Sequence, residues 1–521
     1  MNQTDKVRVA LAAASGLLLT ASFPDLELSW LVWVALVPLL AALRNTGVKQ
    51  SIMLGFVMGV AHYMTLLYWL AYTMRTYGYL PWLLCGTVLI LFSIYLSLFV
   101  ALFSAAIARL RMNPLTGLVI IPSLWVGLEF IRSFAFTGFP WGTVGHSQYA
   151  TLHMIQIADT LGAYGVSFLI MLVNAAVFFG YLCFRKHDWK GHGISRQFMV
   201  LSLAASLLIV GFNGLYGSWK LAAVDRALES APVKRVAVVQ GNISQTEKWD
   251  PAFQVSAVET YLRFSRFGQG AKPDLIIWPE TALPFYFENN VPLTLRARKG
   301  MADIDTQFVV GSPSFARRIN RIDYYNSAYL LGPDGSTQGK YNKSHLVPFG
   351  EYVPFKKWLP FLGKIVAHVG DFDRGNIGDT VAWGKDKLGI LICYELIFPY
   401  ISRAMVKNGA TVLINITNDA WYGRSSAPYQ HFSFAVFRAV ENRRAMIRSA
   451  NTGISGFVDP AGRILAATPL FEEAAATRNV PLLSGLTFYT RYGDVFASAC
   501  LAAAVLLFGV KEVRRRWKKE N

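Results

Sequence analysis

Charge is what this sequence has least of: Asp, Glu, Lys and Arg make up 16% of its 521 residues, against 53% hydrophobic and 14% aromatic residues. Such a chain is excluded from intrinsic disorder and collagen, and one soluble core could not bury that much apolar surface. Acidic residues are scarcer than basic ones, 32 against 50, and 21 of the 32 lie between Val233 and Gly485. Cysteine is limited to four residues, which excludes a disulfide scaffold. Cys85, Cys183 and Cys500 fall inside apolar runs, where a thiol serves as a small hydrophobe, and only Cys393 lies outside them. A lone thiol has no intramolecular partner, so Cys393 is either a buried core residue or a reactive group. The eight histidines show no ligand spacing and no Cys-His cluster suggests zinc, so no metal is expected. Glycine-rich phosphate loops are missing too, and no nucleotide or other cofactor is expected.

What is present is a series of apolar runs near 7–23, 29–43, 51–74, 80–108, 115–131, 162–184, 199–219 and 494–510. About 20 apolar residues cross the roughly 30 Å of bilayer hydrocarbon, so these read as about eight membrane helices. Only Phe23-Pro24-Asp25-Leu26-Glu27 separates the first two, which form either two spans, a helical hairpin or a partly re-entrant pair. The first, preceded by Lys6 and Arg8, reads as an uncleaved helix rather than a signal peptide. One set of helix ends carries sixteen Lys and Arg, from Lys6 and Arg8 to Lys518 and Lys519, while the alternate short loops offer mainly Arg75 and Arg132. Positive residues are retained in the cytoplasm, so both termini are expected there and seven spans carry the next segment across, into a bacterial periplasm. The expected organisation is transmembrane helices one to seven in 1–225, a soluble domain in 233–485, and an eighth helix with a basic tail in 490–521. The net charge of +18 is then largely this punctuation, with Lys511 to Lys519 as a membrane-surface anchor, and nucleic acid is not an expected partner. The soluble segment holds 29 basic and 21 acidic residues, which suits a domain lying against anionic headgroups.

Within 233–485 short β-branched runs alternate with amphipathic stretches. Strands are expected at 236–240, 275–278, 308–311, 325–331, 388–393, 412–416 and 454–458, with helices at 253–267 and 431–449. The pattern is that of a layered α/β or α+β domain of about 250 residues. Three strand ends carry chemistry-capable side chains. Leu275-Ile276-Ile277-Trp278-Pro279-Glu280 is an apolar strand halted by a proline, which holds a carboxylate on its rim. Asn342-Lys343-Ser344-His345-Leu346-Val347-Pro348-Phe349-Gly350-Glu351 places an amine among turn formers, with a carboxylate eight residues on. Leu388-Gly389-Ile390-Leu391-Ile392-Cys393-Tyr394-Glu395 delivers a thiol at the end of a buried strand. Taken singly, Glu280 and Lys343 read as solvated surface charges; it is their combination with Cys393 that points to chemistry.

Together these strand ends resemble the nitrilase superfamily of carbon–nitrogen hydrolases, whose Glu-Lys-Cys triad occurs in this order on an αββα sandwich. Asn415-Ile416-Thr417-Asn418-Asp419-Ala420-Trp421-Tyr422-Gly423 is similar to that family's Asn-Asp-aromatic-Gly loop, and Arg438 to Arg443 with Asn451-Thr452-Gly453 to its later helix and turn. The motifs cover about half the chain. Such a domain between the seventh and eighth of eight spans, with the string Asn342 to Pro354 and the pair Tyr394-Glu395, resembles the apolipoprotein N-acyltransferase branch. That resemblance implies an inner-membrane enzyme with a periplasmic catalytic domain, moving an acyl chain from a phospholipid to the α-amino group of a diacylglyceryl-modified N-terminal cysteine.

The resemblance makes Glu280, Lys343 and Cys393 the catalytic residues. A thiol must become a thiolate to attack an ester, and burial in general raises a carboxylate's proton affinity, so Glu280 is the expected base. Lys343 and the amide of Tyr394 are the expected oxyanion donors, and a thioester on Cys393 is the expected intermediate of a ping-pong cycle. Glu351 is expected to position Lys343 by ion pairing, and Glu395 either orders the thiol strand or forms a structural salt bridge. Trp249, Asn326, Trp421 and Tyr422 are substrate-binding candidates. The aromatic segments 283–287, 358–362 and 421–423 either meet the lipid interface or pack under loops. Glu129 with Arg132, and Asp159, read as loop residues near the membrane surface rather than as the lining of a substrate path. A membrane-tethered nitrilase-type amidase and a ligand-binding transporter or receptor are the competing readings. A monomer is expected, since one chain carries every named role.

Overall fold

The computed structural model describes residues 3–110, 112–267, 272–353 and 371–520, the last ten of these by their backbone alone. The chain divides into two units: Met1–Ala71, Pro81–Leu221 and Tyr492–Asn521 form one, Tyr72–Leu80 and Ala222–Arg491 the other. The expected boundary at 225 therefore falls inside the helix Arg196–Glu229, and Tyr72–Leu80, which covers the end of the apolar run 51–74, the short loop after it and the first residue of the run 80–108, belongs with Ala222–Arg491.

In the first unit each apolar run becomes helix, but not every run is a straight span. Among the described residues four helices are long and apolar enough to cross a membrane: Trp82–Arg109, Pro114–Arg132, Ala163–Phe184 and Arg196–Glu229. The run 51–74 is instead a pair, Val48–Leu66 and Trp69–Tyr77, bent by 52°. The run 29–43 is broken into a 3-10 turn, Ser29–Trp33, and a short helix, Val37–Ala42. The buried Asn174 amide occupies this break: Nδ2 donates to Val32 O at 2.9 Å and Oδ1 accepts from Leu36 N at 2.8 Å. Backbone groups freed by a break inside an apolar environment need such partners. Arg132 (1% exposed) donates to Phe139 O and Trp141 O, and Glu129 accepts from Val144 N at 2.8 Å, so the pair ties the following loop to the helix end. Asp159, also buried, pairs with Lys220 at 3.0 Å. A two-strand hairpin of β1 (Asp188–Trp189) and β2 (His192–Gly193) completes the unit.

The second unit holds two six-stranded sheets. Strands β3 (Val233–Gln240), β4 (Leu275–Ile277), β5 (Gln307–Arg317), β6 (Ile322–Leu331) and β7 (Thr337–Asn342) run in that order, with β14 (Ala474–Pro481) beside β3. The other sheet runs β8 (Val381–Trp383), β9 (Asp386–Ile392), β10 (Val412–Thr417), β11 (Met446–Ala450), β12 (Gly456–Val458) and β13 (Ile464–Ala467). In each sheet the central strands are parallel, β3 to β5 and β9 to β11, and every residue of β10 is buried, as expected of parallel strands covered on both faces. Ser449 Oγ on β11 donates to Val239 O at 3.2 Å and Ile277 O at 3.0 Å, so the two sheets meet face to face. Helices Pro251–Phe267 and Val291–Ala302 bury Val258, Tyr261, Leu262, Ala297 and Met301 on the outer face of the first sheet, against Ile276, Trp278 and Phe308. Each such large apolar side chain removed from water contributes about 1.5–3 kcal/mol. Pro399–Lys407 and Ala427–Asn442 are the helices of the second sheet, and the result is an αββα sandwich.

The helix expected at 431–449 ends at Asn442, because Arg443 adopts a left-handed conformation (φ 49°) and the next apolar run becomes β11, inserted in parallel beside β10. Buried from both sides, β11 shows no alternation, so its apolar run could not be told from a continuing helix.

Candidate active site

The parallel ladder between β9 and β10 pairs Ile392 with Ile416, so residues following both strands emerge side by side. On one strand that residue is Cys393, which opens the 3-10 turn Cys393–Ile397 with φ 52°. A non-glycine residue in this region stores about 1–3 kcal/mol and must be held there by its surroundings. Glu395 does so with five hydrogen bonds, from Ile392 N (2.7 Å), Ser344 N (2.6 Å), Ser344 Oγ (2.6 Å), His345 N (3.1 Å) and Tyr341 Oη (2.8 Å). The carboxyl thus joins the thiol turn to the lysine loop through five uncharged donors. Burial pushes the Glu395 carboxyl above its ordinary value.

Lys343 leaves β7, its N–H bonded to Asn326 O at 2.9 Å. Its ammonium is 1% exposed, 2.9 Å from Glu351 Oε1 and 3.6 Å from Glu280 Oε1. Burial works against the charged amine, but the Glu351 and Glu280 carboxylates outweigh it and hold Lys343 above its ordinary value, so it stays protonated at neutral pH. Asn326 Nδ2 spans both carboxylates, 2.8 Å from Glu280 Oε1 and 2.9 Å from Glu351 Oε1, and Glu351 Oε2 accepts from Val347 N at 2.8 Å. Among the described residues the buried Glu280 Oε2 has no hydrogen-bond partner.

Glu280 is held by its backbone. The would-be Cβ of Gly311 lies 2.5 Å from Pro279 O and from Thr281 N, so only glycine lets β5 pass under the turn. Lys248, 2% exposed, donates from Nζ to Glu280 O at 3.1 Å. Trp249, the candidate from the sequence, is half-buried, and it is the lysine before it that hydrogen-bonds the triad.

The three triad residues come together. Burial pushes the Cys393 thiol up to about 12, with the Glu280 carboxylate raising it further while Lys343 and the Thr417 hydroxyl pull it down. The thiol is therefore protonated at rest and needs a base to attack. Iodoacetamide alkylation of Cys393, followed by peptide mass spectrometry, should accordingly be slow at pH 7 and still rising at pH 10. Lys343→Met, which deletes the charge favouring the thiolate, should slow it further at each pH; an unchanged rate would show that the ammonium does not act on the sulfur.

Behind the thiol lies a cluster that the sequence motif contained but did not explain. Asp419, at the start of the turn Asp419–Tyr422, accepts from Arg448 Nη2 at 2.6 Å and lies 3.1 Å from His431 Nδ1, all three fully buried. Burial and the Arg448 guanidinium lower His431, so its imidazole is neutral, and the ring lies against the Cys393 main chain. Tyr422 is half-buried; burial and the neighbouring Cys393 and Asp419 hold its phenol well above its ordinary value. Trp421 packs edge-on against Tyr77, with ring centroids 4.8 Å apart. Thr73 Oγ1 donates to Trp421 O at 2.7 Å and Tyr77 Oη to Ala420 O at 2.8 Å, so Tyr72–Leu80 clamps the turn beside the thiol. Thr73 lies in the apolar run 51–74 and Tyr77 in the short loop after it, and no local signal marked either as a partner of the turn Asp419–Tyr422.

The aromatic segment 283–287 resolves as packing: Phe285 and Phe287 are buried in the core and only Tyr286 is exposed. The segment 358–362 lies outside the described residues. No group of three or more His, Cys, Asp or Glu able to hold a metal occurs among the described residues.

Residues 15–176 match the family described as the apolipoprotein N-acyltransferase N-terminal domain, and residues 235–484 match the carbon-nitrogen hydrolases. The chain is 45% identical to an apolipoprotein N-acyltransferase of Geobacter metallireducens, over 95% of this chain and 94% of the relative. It is 32% identical to one of Methylococcus capsulatus, over 97% of this chain and 96% of that protein. An amidase from Nesterenkonia sp. aligns in structure over 50% of this chain and 92% of its own, with 19% identity and a TM-score of 0.37.

Proposed function

The chain belongs to the apolipoprotein N-acyltransferase family, and from that premise we propose how its residues carry out the transfer. The protein is a membrane acyltransferase that acylates lipoproteins. The acyl donor in this reading is a membrane phospholipid, and the acceptor is the α-amino group of a diacylglyceryl-modified N-terminal cysteine. The observation that carries it is the convergence of a buried protonated thiol, an ammonium fixed between two carboxylates, and one carboxylate oxygen with no partner among the described residues.

Glu280 takes the proton from Cys393, whose sulfur attacks the ester carbonyl carbon. The oxyanion that forms is stabilised by the Lys343 ammonium and the Tyr394 N–H, worth about 3–4 kcal/mol for each well-aimed donor. Collapse breaks the ester C–O bond, and the lysophospholipid oxygen leaves with the proton held by Glu280. The lipoprotein amine then attacks the thioester and gives a proton to Glu280; the C–S bond breaks, an amide remains, and the thiolate regains the proton. A thioester is activated toward amines while the amide is inert, so the cycle needs no external energy source. Cys393 and Glu280 are each 6% exposed and Lys343 1%, which limits the competing attack by water. The skew of Lys and Arg among helix ends supports an inner-membrane enzyme with both termini in the cytoplasm and residues 233–485 in the periplasm. One chain carries all these roles, and a monomer is the proposed state.

The test is peptide mass spectrometry of the purified enzyme after incubation with a defined diacyl phospholipid. A hydroxylamine-labile acyl adduct on the Cys393 peptide, discharged when a diacylated lipopeptide with a free amine is added, is the expected result. Amide product formed without any such adduct in quenched, rapidly sampled reactions, or undiminished turnover in Cys393→Ser, would refute the thioester route.

A further inference from the structure

Among the described residues two lysines are buried, Lys343 and Lys248, and the proposed cycle does not use the second. It lies in the segment after β3, which is anchored on both sides: Asn242 N and Ile243 N bond to Asn451, and Asn418 Nδ2 donates to Gln245 Oε1 at 2.5 Å. From there the side chain is 2% exposed and ends 3.1 Å from the carbonyl of Glu280. That carbonyl belongs to a turn already constrained by Pro279, by the left-handed Thr281 (φ 50°) and by the close approach of Gly311. Asn326 and Lys343 fix the carboxylate from one side, and Lys248 fixes its main chain from the other.

We propose that Lys248 is a positioning residue for acyl transfer, holding the backbone of the base Glu280 so that its carboxylate faces the Cys393 sulfur, and doing so fully only while its ammonium is charged. The inference rests on the reading of Glu280 as the base. One ångström of misplacement of a catalytic group costs about 100-fold in rate, and Lys248 Nζ is the buried side-chain donor that meets the Glu280 carbonyl. This hydrogen bond also has a titration signature. Burial pulls Lys248 down to about 8, against the opposing attraction of the Glu280 carboxylate. Among the described residues, the Glu280 carboxylate is the charge that acts on it; Lys343 and Glu351 lie beyond Glu280, and the flanking Glu247 and Asp250 are exposed. The charged form is present below about pH 8 and is lost above it, so the rate should decline through that range as the hydrogen bond weakens.

The experiment compares full-length wild type, Lys248→Met and Lys248→Gln in detergent, using a defined diacyl phospholipid and a diacylated lipopeptide. Both the Cys393 adduct and the amide product are followed from pH 6 to 10. Lys248→Met is expected to lower the rate about 10- to 100-fold, mainly in kcat rather than in KM, and to remove the alkaline limb near pH 8. Lys248→Gln, a neutral donor, should recover part of the rate but not the limb. A methionine variant with wild-type rate and limb overturns the proposal; should that variant not fold, a glutamine variant that keeps the wild-type limb overturns it equally. A limb that moves in product formation while no adduct ever appears counts against the thioester and in favour of Lys248, so the two readings fail separately.

Discussion

Glu280→Gln should lower acyl transfer about 10²- to 10⁴-fold, the range that general acid–base catalysis contributes, while making Cys393 more reactive toward iodoacetamide. The two effects run in opposite directions because Glu280 acts on the thiol in two ways. Its charge, added to burial, helps push Cys393 up to about 12, so at pH 7 roughly one thiol in 10⁵ is ionised. Turnover from that population alone would be negligible, and the base must take the proton as the sulfur attacks. Glutamine matches the shape and still meets Asn326, but it cannot accept a proton, and removing its charge lowers the thiol pKa. A variant merely misfolded around the site would lose turnover without this gain in alkylation. Turnover within tenfold of wild type would reassign the base.

Asp419→Asn should be strongly destabilising to the catalytic unit, costing about 3–5 kcal/mol, because it strands a buried guanidinium. Arg448 reaches Asp419 Oδ2, the Asn415 amide oxygen and Ile454 O from a fully buried position, and of these Asp419 alone carries a counter-charge. Burial by itself would raise the Asp419 carboxyl, but the Arg448 guanidinium and His431 hold it well below the usual carboxylate range. A depressed folded-state value means that the ion pair's contribution is fully present above about pH 4, where the unfolded chain's aspartate is ionised, and is lost only as pH falls towards the folded value. Thermal unfolding should show a drop of about 10 °C or more at pH 7 in the variant, together with a shallower loss of stability on acidification than in wild type. Wild-type unfolding at both pH values would show that the pair is dispensable.

How much of this was legible in the chain follows from how local each signal is. The division into a membrane part and a catalytic part rests on hydropathy and on where the acidic residues lie, which are sums over neighbouring residues and survive any folding detail. The three strand ends were equally legible, two as apolar runs ending in a carboxylate or a thiol and one as an amine among turn formers, and their order along the chain carried the resemblance. Glu280, Lys343 and Cys393, which the structure brings together, were singled out that way, and the sandwich was expected on the same resemblance. Lys248 was passed over beside Trp249, and Asp419 was seen as one letter of a motif without its Arg448 and His431.

Sequence alone thus determined which chemistry this protein carries and on which kind of scaffold. The tertiary structure decided how that chemistry is held. Lys248 meets Glu280 across 32 residues, Asn326 meets it across 46, and Thr73 reaches Trp421 across 348. None of these pairs leaves a trace in local periodicity or propensity. The break at 29–42, the bend after Leu66 and the helix end at Asn442 were likewise hidden. An apolar run reports that a segment is buried, whereas whether it continues, breaks or changes to strand depends on which distant side chain, Asn174 for one, is there to satisfy the backbone.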